Sequence, residues 1–282
     1  LAMTQVDHIL GDHDNELAQA QNMLEAQVDV MAANIGAKLR NGRHKLEYLA
    51  ALPPHTLLDP QHCEPSLGPL LALHPEYANI VTDDMQGQPQ CSAVPMQQGQ
   101  VLGIGNTPFF QRLLKERRFT VGEPFLGTIA KKQVMLLSQP IWEGNRPGGT
   151  MLGAVSIVIV LTAFDPQLPT AHLPRDIRYG IFDERGVLFW RNDGGGGEDI
   201  GRRVESEASR RILESRGEEF FTALSSNGRE HYYAVKHLAE FGLVAFVSQP
   251  VESVLAKPRR DAMDKFVGSA IALVLLLALA MA

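Results

Sequence analysis

The N-terminal part of the chain carries a stripe of apolar side chains with helical spacing. Between Asp7 and Leu52, these side chains recur in steps of three, four or seven residues. They are Leu10, Leu17, Leu24, Val28, Met31, Ile35, Leu39, Leu46 and Leu49. Pro53 and Pro54 end the stripe, because proline does not continue a helix. The sequence therefore predicts one long helix that either pairs with a copy of itself or serves as a spine for domains packed along it, with a simple coiled-coil arm as the alternative.

The central stretch from Phe109 to Phe164 predicts a short helix followed by strands. Its first turns place Phe110 and the leucines on one side and charged residues on the other, which is the helical period. Further on, Gln133 to Ile141 and Leu152 to Leu161 are apolar runs rich in valine, isoleucine and leucine. The segment between them is rich in glycine, asparagine and proline, which is typical of a turn between two strands.

Strands are also predicted on both sides of this stretch. Upstream, Tyr77 to Thr82 predicts a strand, Asp83 to Gly87 its turn, and Gln90 to Ala93 the returning strand. Downstream, Asp165 to Arg175 contains three prolines and predicts a linker. Beyond the linker the pattern is two strands, a helix and three more strands. These elements are Ile177 to Phe182, Val187 to Trp190, the helix Glu205 to Ser215, Glu219 to Leu224, Glu230 to His237 and Gly242 to Ser248.

The order of these elements and several motifs resemble the periplasmic double-Cache sensor domains of bacterial transmembrane signalling receptors. In the central stretch the matching residues are the aromatic pair Phe109 and Phe110, Arg-Phe-x-Val-Gly-Glu at Arg118 to Glu123, the basic Lys131 and Lys132, and Gln-Pro-Ile at Gln139 to Ile141. In the second half they are Phe-Asp-x-x-Gly at Phe182 to Gly186, Ile200 with Gly201, and Gln-Pro-x-x-x-x-Leu at Gln249 to Leu255. The resemblance covers nearly the whole chain.

The resemblance implies an α+β fold. A long N-terminal spine helix carries two PAS-like Cache modules with antiparallel sheets, and the start of a transmembrane helix follows. The implied division is a spine helix over 1–54, a membrane-distal module over 55–164, a linker over 165–175, a membrane-proximal module over 176–250, an exit helix over 251–265 and a truncated transmembrane helix over 266–282. In such receptors the spine continues from a first membrane helix, which would lie upstream of this sequence.

The last segment, from Phe266 to Ala282, contains no charged residue. At about 1.5 Å per residue it covers about 25 Å of a hydrocarbon core that is about 30 Å thick. It therefore predicts a transmembrane helix cut short by the end of the chain, with a buried core helix as the alternative. We expect the protein to reside in the inner membrane, with residues 1 to about 265 in the periplasm.

The charge of the chain argues against a nucleic-acid partner. Its 282 residues include 26 Lys and Arg against 32 Asp and Glu, for a net charge of -6. Binding to a phosphate backbone needs a basic patch, and none is evident in the sequence. The spacing of polar residues also indicates no nucleophile–base pair and no paired carboxylates, so this segment is not expected to be an enzyme. We expect no cofactor and no metal.

The two cysteines, Cys63 and Cys91, flank the predicted upstream hairpin. In an extracytoplasmic domain they would form a disulfide that closes a loop of about 28 residues and contributes about 3 to 4 kcal/mol. The resemblance implies the same pair. A catalytic cysteine is a weaker alternative, because His62 adjoins Cys63 and sequence neighbours point apart. A zinc site would need four ligands at regular spacing.

The resemblance implies a ligand site in the distal module, around the aromatic pair. In amino-acid-sensing double-Cache domains, an Arg precedes the pair by two residues and an Asp follows a later Tyr by two. Here Thr107 and Gly127 occupy those positions and Phe125 replaces the Tyr, so that family's clamp for an amino acid is missing. The residues that remain around the expected pocket are Phe109, Phe110, Arg112, Phe119, Phe125, Lys131 and Lys132. An apolar pocket with cations suits an organic anion, and the alternative is a phenylalanine core with solvated lysines.

The expected function is that of the extracytoplasmic ligand-sensing region of a transmembrane receptor. It would couple binding of a small molecule in the distal module to a cytoplasmic output through the membrane helix, as a parallel homodimer held by the spine. The resemblance implies a diguanylate cyclase or a histidine kinase as that output. The alternative is a membrane-anchored binding or dimerisation module without enzymatic output.

Overall fold

The computed structural model describes residues 2–96, 103–169, 173–174, 176–192 and 199–255. The chain begins with one helix of 49 residues, α1 (Ala2–Ala50), which is the predicted spine. Among the described residues no helix is both long and apolar enough to cross a membrane. The predicted transmembrane helix over 266–282 lies outside them. Of the predicted exit helix, residues 251–255 are described and helical.

The apolar stripe of α1 forms the centre of the hydrophobic core. Most of its residues are buried, and the helix contacts strands of both sheets. The buried members are Leu24, Val28, Met31, Ile35, Leu39, Leu46 and Leu49. Burying one such side chain contributes about 1.5–3 kcal/mol, so the stripe is a main reason why the helix holds the two sheets together.

The first sheet has six strands. They are β1 (Tyr77–Asp84), β2 (Pro89–Ser92), β3 (Thr120–Val121), β4 (Phe125–Leu126), β5 (Gln133–Trp142) and β6 (Met151–Val160). The order across the sheet is β2-β1-β6-β5-β3, and β4 also pairs with β5. All these pairs are antiparallel. Three helices accompany the sheet: α2 (Pro54–Leu58), α3 (Leu67–Ala72) and α4 (Pro108–Glu116).

A disulfide fastens the start of this module to its edge strand. Cys63 and Cys91 are bonded, with their Cα atoms 5.5 Å apart, as the sequence predicted. Cys91 lies in β2 and is fully buried. Nearby, the Thr82 hydroxyl donates to the Leu57 carbonyl at 2.5 Å, which ties α2 to β1. A covalent bond and a buried hydrogen bond therefore help to hold the segment that follows the spine against the sheet.

The second sheet has five strands in the order β8-β7-β11-β10-β9, all antiparallel. They are β7 (Arg178–Asp183), β8 (Leu188–Arg191), β9 (Glu218–Leu224), β10 (Glu230–Leu238) and β11 (Leu243–Pro250). Helix α5 (Glu207–Glu214) covers the face turned away from the spine. It begins with a capping box, in which Ser206 and Ser209 each accept from the other's backbone N–H. The predicted α+β fold with two antiparallel sheets on one spine is confirmed.

The sequence prediction was wrong about where β1 ends. The strand continues through Asp84, so Asp83 is a strand residue and does not begin the turn. The pairing of β1 with β2 shifts register between Thr82 and Asp83. Acidic residues are common in turns and rare inside, so a pattern of polarity assigns this one to the turn.

Candidate functional site

The alternation of side chains along β1 gives the distal sheet two different faces. Ile80 belongs to the core around the spine, and Thr82 contacts α2 on the same side. Asn79, Val81 and Asp83 line a cavity on the opposite face. The two-residue period of a strand is the reason why these three side chains share one face.

This cavity, which we call the distal cavity, encloses about 90 Å³. Its walls are β1 and β2, the facing residues of β5 and β6, and the segment from Phe125 to Ala130. The lining residues are Ala78, Asn79, Val81, Asp83, Pro89, Ser92, Met96, Ile104, Phe125, Gly127, Thr128, Ile129, Ala130, Val134, Leu136 and Val158. The cavity is therefore mostly apolar, with a few polar groups on the strands.

A second cavity of about 420 Å³ adjoins the first and extends toward the proximal module. It is lined by Phe109 of α4 on one side and by Arg185 and Gly201 of the proximal module on the other. The two cavities share four lining residues, namely Ile104, Phe125, Thr128 and Leu136. We call the second one the junction cavity, because it lies where the two modules meet.

Asp83 is the most unusual group in the distal cavity. Its side chain is 1% exposed, and its Oδ2 atom has no hydrogen-bond partner. Burial, and secondly the neighbouring Asp84, raise the pKa of Asp83 to about 8. Asp84 differs, because its carboxylate accepts bonds from the backbone N–H groups of Gln86 and Gln88 at 2.9 Å. The two adjacent aspartates thus differ, since the Asp84 carboxylate stabilises the turn and the Oδ2 atom of Asp83 has no donor.

Asn79, at the other end of the cavity, has its partners within the protein. Its amide donates to the Ser92 hydroxyl at 2.8 Å, and its carbonyl oxygen accepts from the N–H groups of Ile80 at 2.8 Å and Val94 at 3.1 Å. These bonds fix its orientation. Asn79 therefore differs from Asp83, whose buried Oδ2 atom lacks a compensating hydrogen bond.

The predicted aromatic pair opens α4. The Thr107 hydroxyl caps this helix by accepting from the Phe110 N–H at 3.2 Å. Phe110 is fully buried in a cluster with Leu113 and Trp142, and Phe109 is 4% exposed and lines the junction cavity. Phe110 therefore packs in the core of the module, while Phe109 combines core packing with a place at a cavity wall.

The other predicted site residues lie at three different places. Phe125 is 41% exposed and lines both cavities. Phe119 lies at the junction of the modules, with its ring 6.2 Å from that of Phe241. Lys131 and Lys132 are exposed and line neither cavity. The structure thus brings Phe109 and Phe125 together and does not bring the lysines to them.

Arg112 belongs to an ion group between the modules. Its guanidinium donates to the carboxylate of Glu123 and to the Val121 carbonyl. Arg185 of the proximal module donates to the same Glu123 oxygen and to Asp183 at 2.6 Å. Burial alone would raise the pKa of Glu123, but the hydrogen bonds from both guanidinium groups hold it below its ordinary value. Arg112 is thus engaged by protein groups and is turned to the junction.

Backbone atoms of the two modules are also in close contact, at Gly201 and Pro124. A Cβ atom placed on Gly201, whose φ is +79°, would lie 2.7 Å from the Pro124 carbonyl oxygen. This contact requires glycine for two reasons, namely the left-handed conformation and the close approach. Sequence reasoning picked out Gly201 through the family motif but had no signal for its contact with the distal module.

No protein-family model matches the chain, and no curated protein sequence matches it either. Solved structures do match. The extracellular domain rpHK1S-Z16, described as part of a putative histidine kinase, is 17% identical, with a TM-score of 0.68 over 85% of this chain and 98% of that domain.

Two further neighbours are receptors from named bacteria. The sensor domain of the Vibrio cholerae histidine kinase DctB is 14% identical, with a TM-score of 0.57 over 82% of this chain and 98% of that one. The ligand-binding domain of the Pseudomonas aeruginosa amino-acid chemoreceptor PctB, solved with L-Arg, is 14% identical, with a TM-score of 0.59 over 85% and 97%. The resemblance to periplasmic Cache domains is confirmed at the level of fold, since this chain folds as the sensor domains of histidine kinases and chemoreceptors do.

Proposed function

We propose that this chain is the extracytoplasmic ligand-sensing region of a transmembrane receptor, and that its ligand is a small molecule held in the distal module. The observation that carries the proposal is the distal cavity, which is apolar over most of its wall and has polar groups at defined places. Ligand sites in proteins commonly have this composition. The fold shared with extracellular sensor domains supports the same role.

The spine helix and the ion group at the junction provide a route by which binding could reach the rest of the protein. Phe125 lines the distal cavity and the junction cavity, and Glu123, two residues earlier, accepts from Arg112 and Arg185. A ligand that moves the Phe125 segment would therefore disturb an inter-module contact. It shifts the receptor between states only by the difference in its affinity for them.

The proposed context is the inner membrane, with residues 1 to about 265 in the periplasm, a membrane helix over 266–282, and a diguanylate cyclase or histidine kinase as cytoplasmic output. The proposed division is that of the sequence analysis, with the distal module over 55–164 and the proximal module over 176–250. The sequence of the gene beyond Ala282 tests the output directly. A Gly-Gly-Asp-Glu-Phe segment would identify a cyclase, and a phosphoacceptor helix with a Gly-rich ATP lid would identify a kinase. A stop codon shortly after the membrane span would leave a tethered binding module.

A parallel homodimer is part of the proposal, but its interface differs from the one the sequence suggested. From Leu24 to Leu49, the apolar stripe of α1 is buried against the sheets of its own subunit and is not free for a partner. Val30 and Tyr48 of α1 are exposed, at 39% and 66%. The two residues share one face of the helix, because they are eighteen residues apart and eighteen residues make five full turns. Sedimentation of the wild type and of Tyr48→Glu tests this face, and a dimer unaffected by the substitution would exclude it.

Ligand sensing is tested by a thermal-unfolding screen of small organic acids, amines, sugars and nucleosides. A ligand present at about ten times its Kd should stabilise the folded state by about 1.4 kcal/mol. The variant Val81→Phe places a ring in the distal cavity and should abolish the shift. Leu224→Phe also introduces a ring, at an exposed position of β9 outside both cavities, and should keep it. A ligand that shifts both variants equally would bind elsewhere, which would contradict a distal site.

A further inference from the structure

The unpartnered carboxyl of Asp83 indicates what kind of ligand the distal cavity takes. We propose that this cavity binds the ammonium group of a small organic amine, with the carboxylate of Asp83 as its counterion. The inference rests on the proposed function and specifies the ligand class of the same site. It replaces the organic anion that the sequence suggested.

The state of the Asp83 carboxyl favours a cationic ligand. Asp83 is buried on the cavity face of β1, and Oδ2 has no donor within the protein. A buried polar group without a partner is destabilising, and for a carboxylate the cost is larger still. The neighbouring polar groups do not relieve it, because Asn79 and Ser92 are bonded to each other. A ligand that brings N–H donors and a positive charge would supply both missing interactions.

The ionisable groups of the cavity wall also favour a cationic ligand. Among the described residues that line the distal cavity, Asp83 is the only ionisable one. An anionic ligand would therefore meet a carboxyl and no cation. Arg185, which lines the adjoining junction cavity, and Arg112 are already bonded to Glu123 through their guanidinium groups. The exposed Lys131 and Lys132 do not line the cavity.

The rest of the cavity wall suits a ligand with an apolar body. Apart from Asp83, Asn79, Ser92 and Thr128, the described lining is glycine, proline or apolar. The distal cavity continues past Phe125 into the junction cavity, through the residues that the two share. The site therefore fits an ammonium group on a short apolar chain that points toward Phe125.

Binding should involve a proton. Because burial raises the pKa of Asp83 to about 8, its carboxyl is mostly protonated at pH 7. When the ammonium binds, the carboxyl releases its proton to solvent and the carboxylate pairs with the cation, so charge and atoms balance. At pH 7 the release should approach one proton per ligand, and it should vanish above about pH 9.

The experiment uses the 282-residue chain and three matched sets of probes. These are primary n-alkylamines from propyl to hexyl, the carboxylic acids and the alcohols of the same chain lengths. Thermal unfolding at pH 7 should show stabilisation by one or more amines and none by the acids. Calorimetry of the best amine in two buffers of different ionisation enthalpy then measures the proton released. Failure of every amine would overturn the proposal, and so would amine binding without proton release at pH 7.

Two variants locate the binding. Asp83→Asn keeps the shape and removes the charge, and it should weaken the amine about 10- to 100-fold. It should also raise the Tm of the free protein, most strongly above pH 8, because no carboxylate then has to be buried. Glu143→Gln removes one negative charge at an exposed turn and should leave amine binding unchanged.

The outcomes separate this proposal from the one on which it rests. If acids stabilise the protein and amines do not, with Val81→Phe abolishing the effect, the distal cavity senses ligands and Asp83 is not a counterion. If Asp83→Asn and Glu143→Gln weaken amine binding equally, the effect is one of overall charge and the proposal fails. If Asp83→Asn does not fold, the proton measurement on the wild type decides alone.

Discussion

The two modules share one strand topology, yet the outer faces of their sheets are filled in different ways. In the proximal module, aromatic rings occupy the space between the sheet and α5. Phe182 stacks on Phe246 with 5.2 Å between ring centroids, and Phe221 stacks on Tyr233 at 5.6 Å. The cavity left there is about 30 Å³. In the distal module the equivalent face holds the distal cavity and the junction cavity. The proposed ligand site therefore lies in the module whose outer face is not filled by aromatic rings.

The filled face should be the more sensitive to truncation. Phe246 is 5% exposed and contacts the rings of Phe182 and Tyr233, so Phe246→Ala removes a large part of this layer. We expect a loss of about 3–5 kcal/mol in the free energy of unfolding, measured with urea. A loss below about 1 kcal/mol would show that the proximal face tolerates truncation of a side chain as well as the distal face does.

The disulfide should stabilise the distal module alone. Cys63 and Cys91 close a loop that lies entirely within it. Replacing both by serine should lower the free energy of unfolding by about 3–4 kcal/mol through the gain in entropy of the unfolded chain. Hydrogen exchange should then increase in β1 and β2 and stay unchanged in β9 and β10. Equal increases in both sheets would mean that the modules unfold as one unit.

The proximal face should also be the more sensitive to acid. His231 is buried beside Tyr233, and neither of its ring nitrogens is hydrogen-bonded. Burial, together with the positive charges of Arg178 and Arg229, lowers the pKa of His231 to about 4, although Asp176 acts in the opposite direction. Because the unfolded state takes up the proton first, stability should fall as the pH drops from about 6.5 toward 4.

The acid effect has a direct control. Between pH 7 and 4.5 the wild type should lose about 2–3 kcal/mol more than His231→Phe, which keeps a ring and cannot titrate. Urea unfolding at the two pH values measures the difference. Identical losses in the two proteins would assign the acid sensitivity to other groups.

The smallest effect on stability is expected at the distal site. Phe125 is 41% exposed, so Phe125→Ala should cost no more than about 1 kcal/mol of unfolding free energy. It should nevertheless weaken the thermal shift produced by any ligand of the distal cavity, because the ring lines that cavity. A loss of stability comparable to that of Phe246→Ala would place Phe125 in a core and would remove the contrast between the modules.

Much of the fold follows from local patterns. The stripe of α1 and the apolar runs of β5 and β6 can be read from periodicity, and the disulfide from two cysteines around a hairpin. The site follows less well. Asp83 is acidic, and a polarity pattern assigns such a residue to solvent, whereas the register of β1 with β6 buries it. The ion group of Arg112 could not be predicted for a different reason. Its partner Glu123 also bonds Arg185, which lies 62 residues further along the chain and comes close only in the folded protein.

The spacing of contacts along the spine helix restricts insertions and deletions within it. Asp29 pairs with Lys236 of the proximal sheet at 2.5 Å, while Gly42 lies against Leu137 of the distal sheet. Both contacts are made by a single rigid rod in which each residue advances the azimuth by about 100°. Adding one residue between them would turn one module about the rod by that angle relative to the other. The length of this interval is therefore fixed by rotational phase, so homologues should vary in their loops and conserve the residue count here.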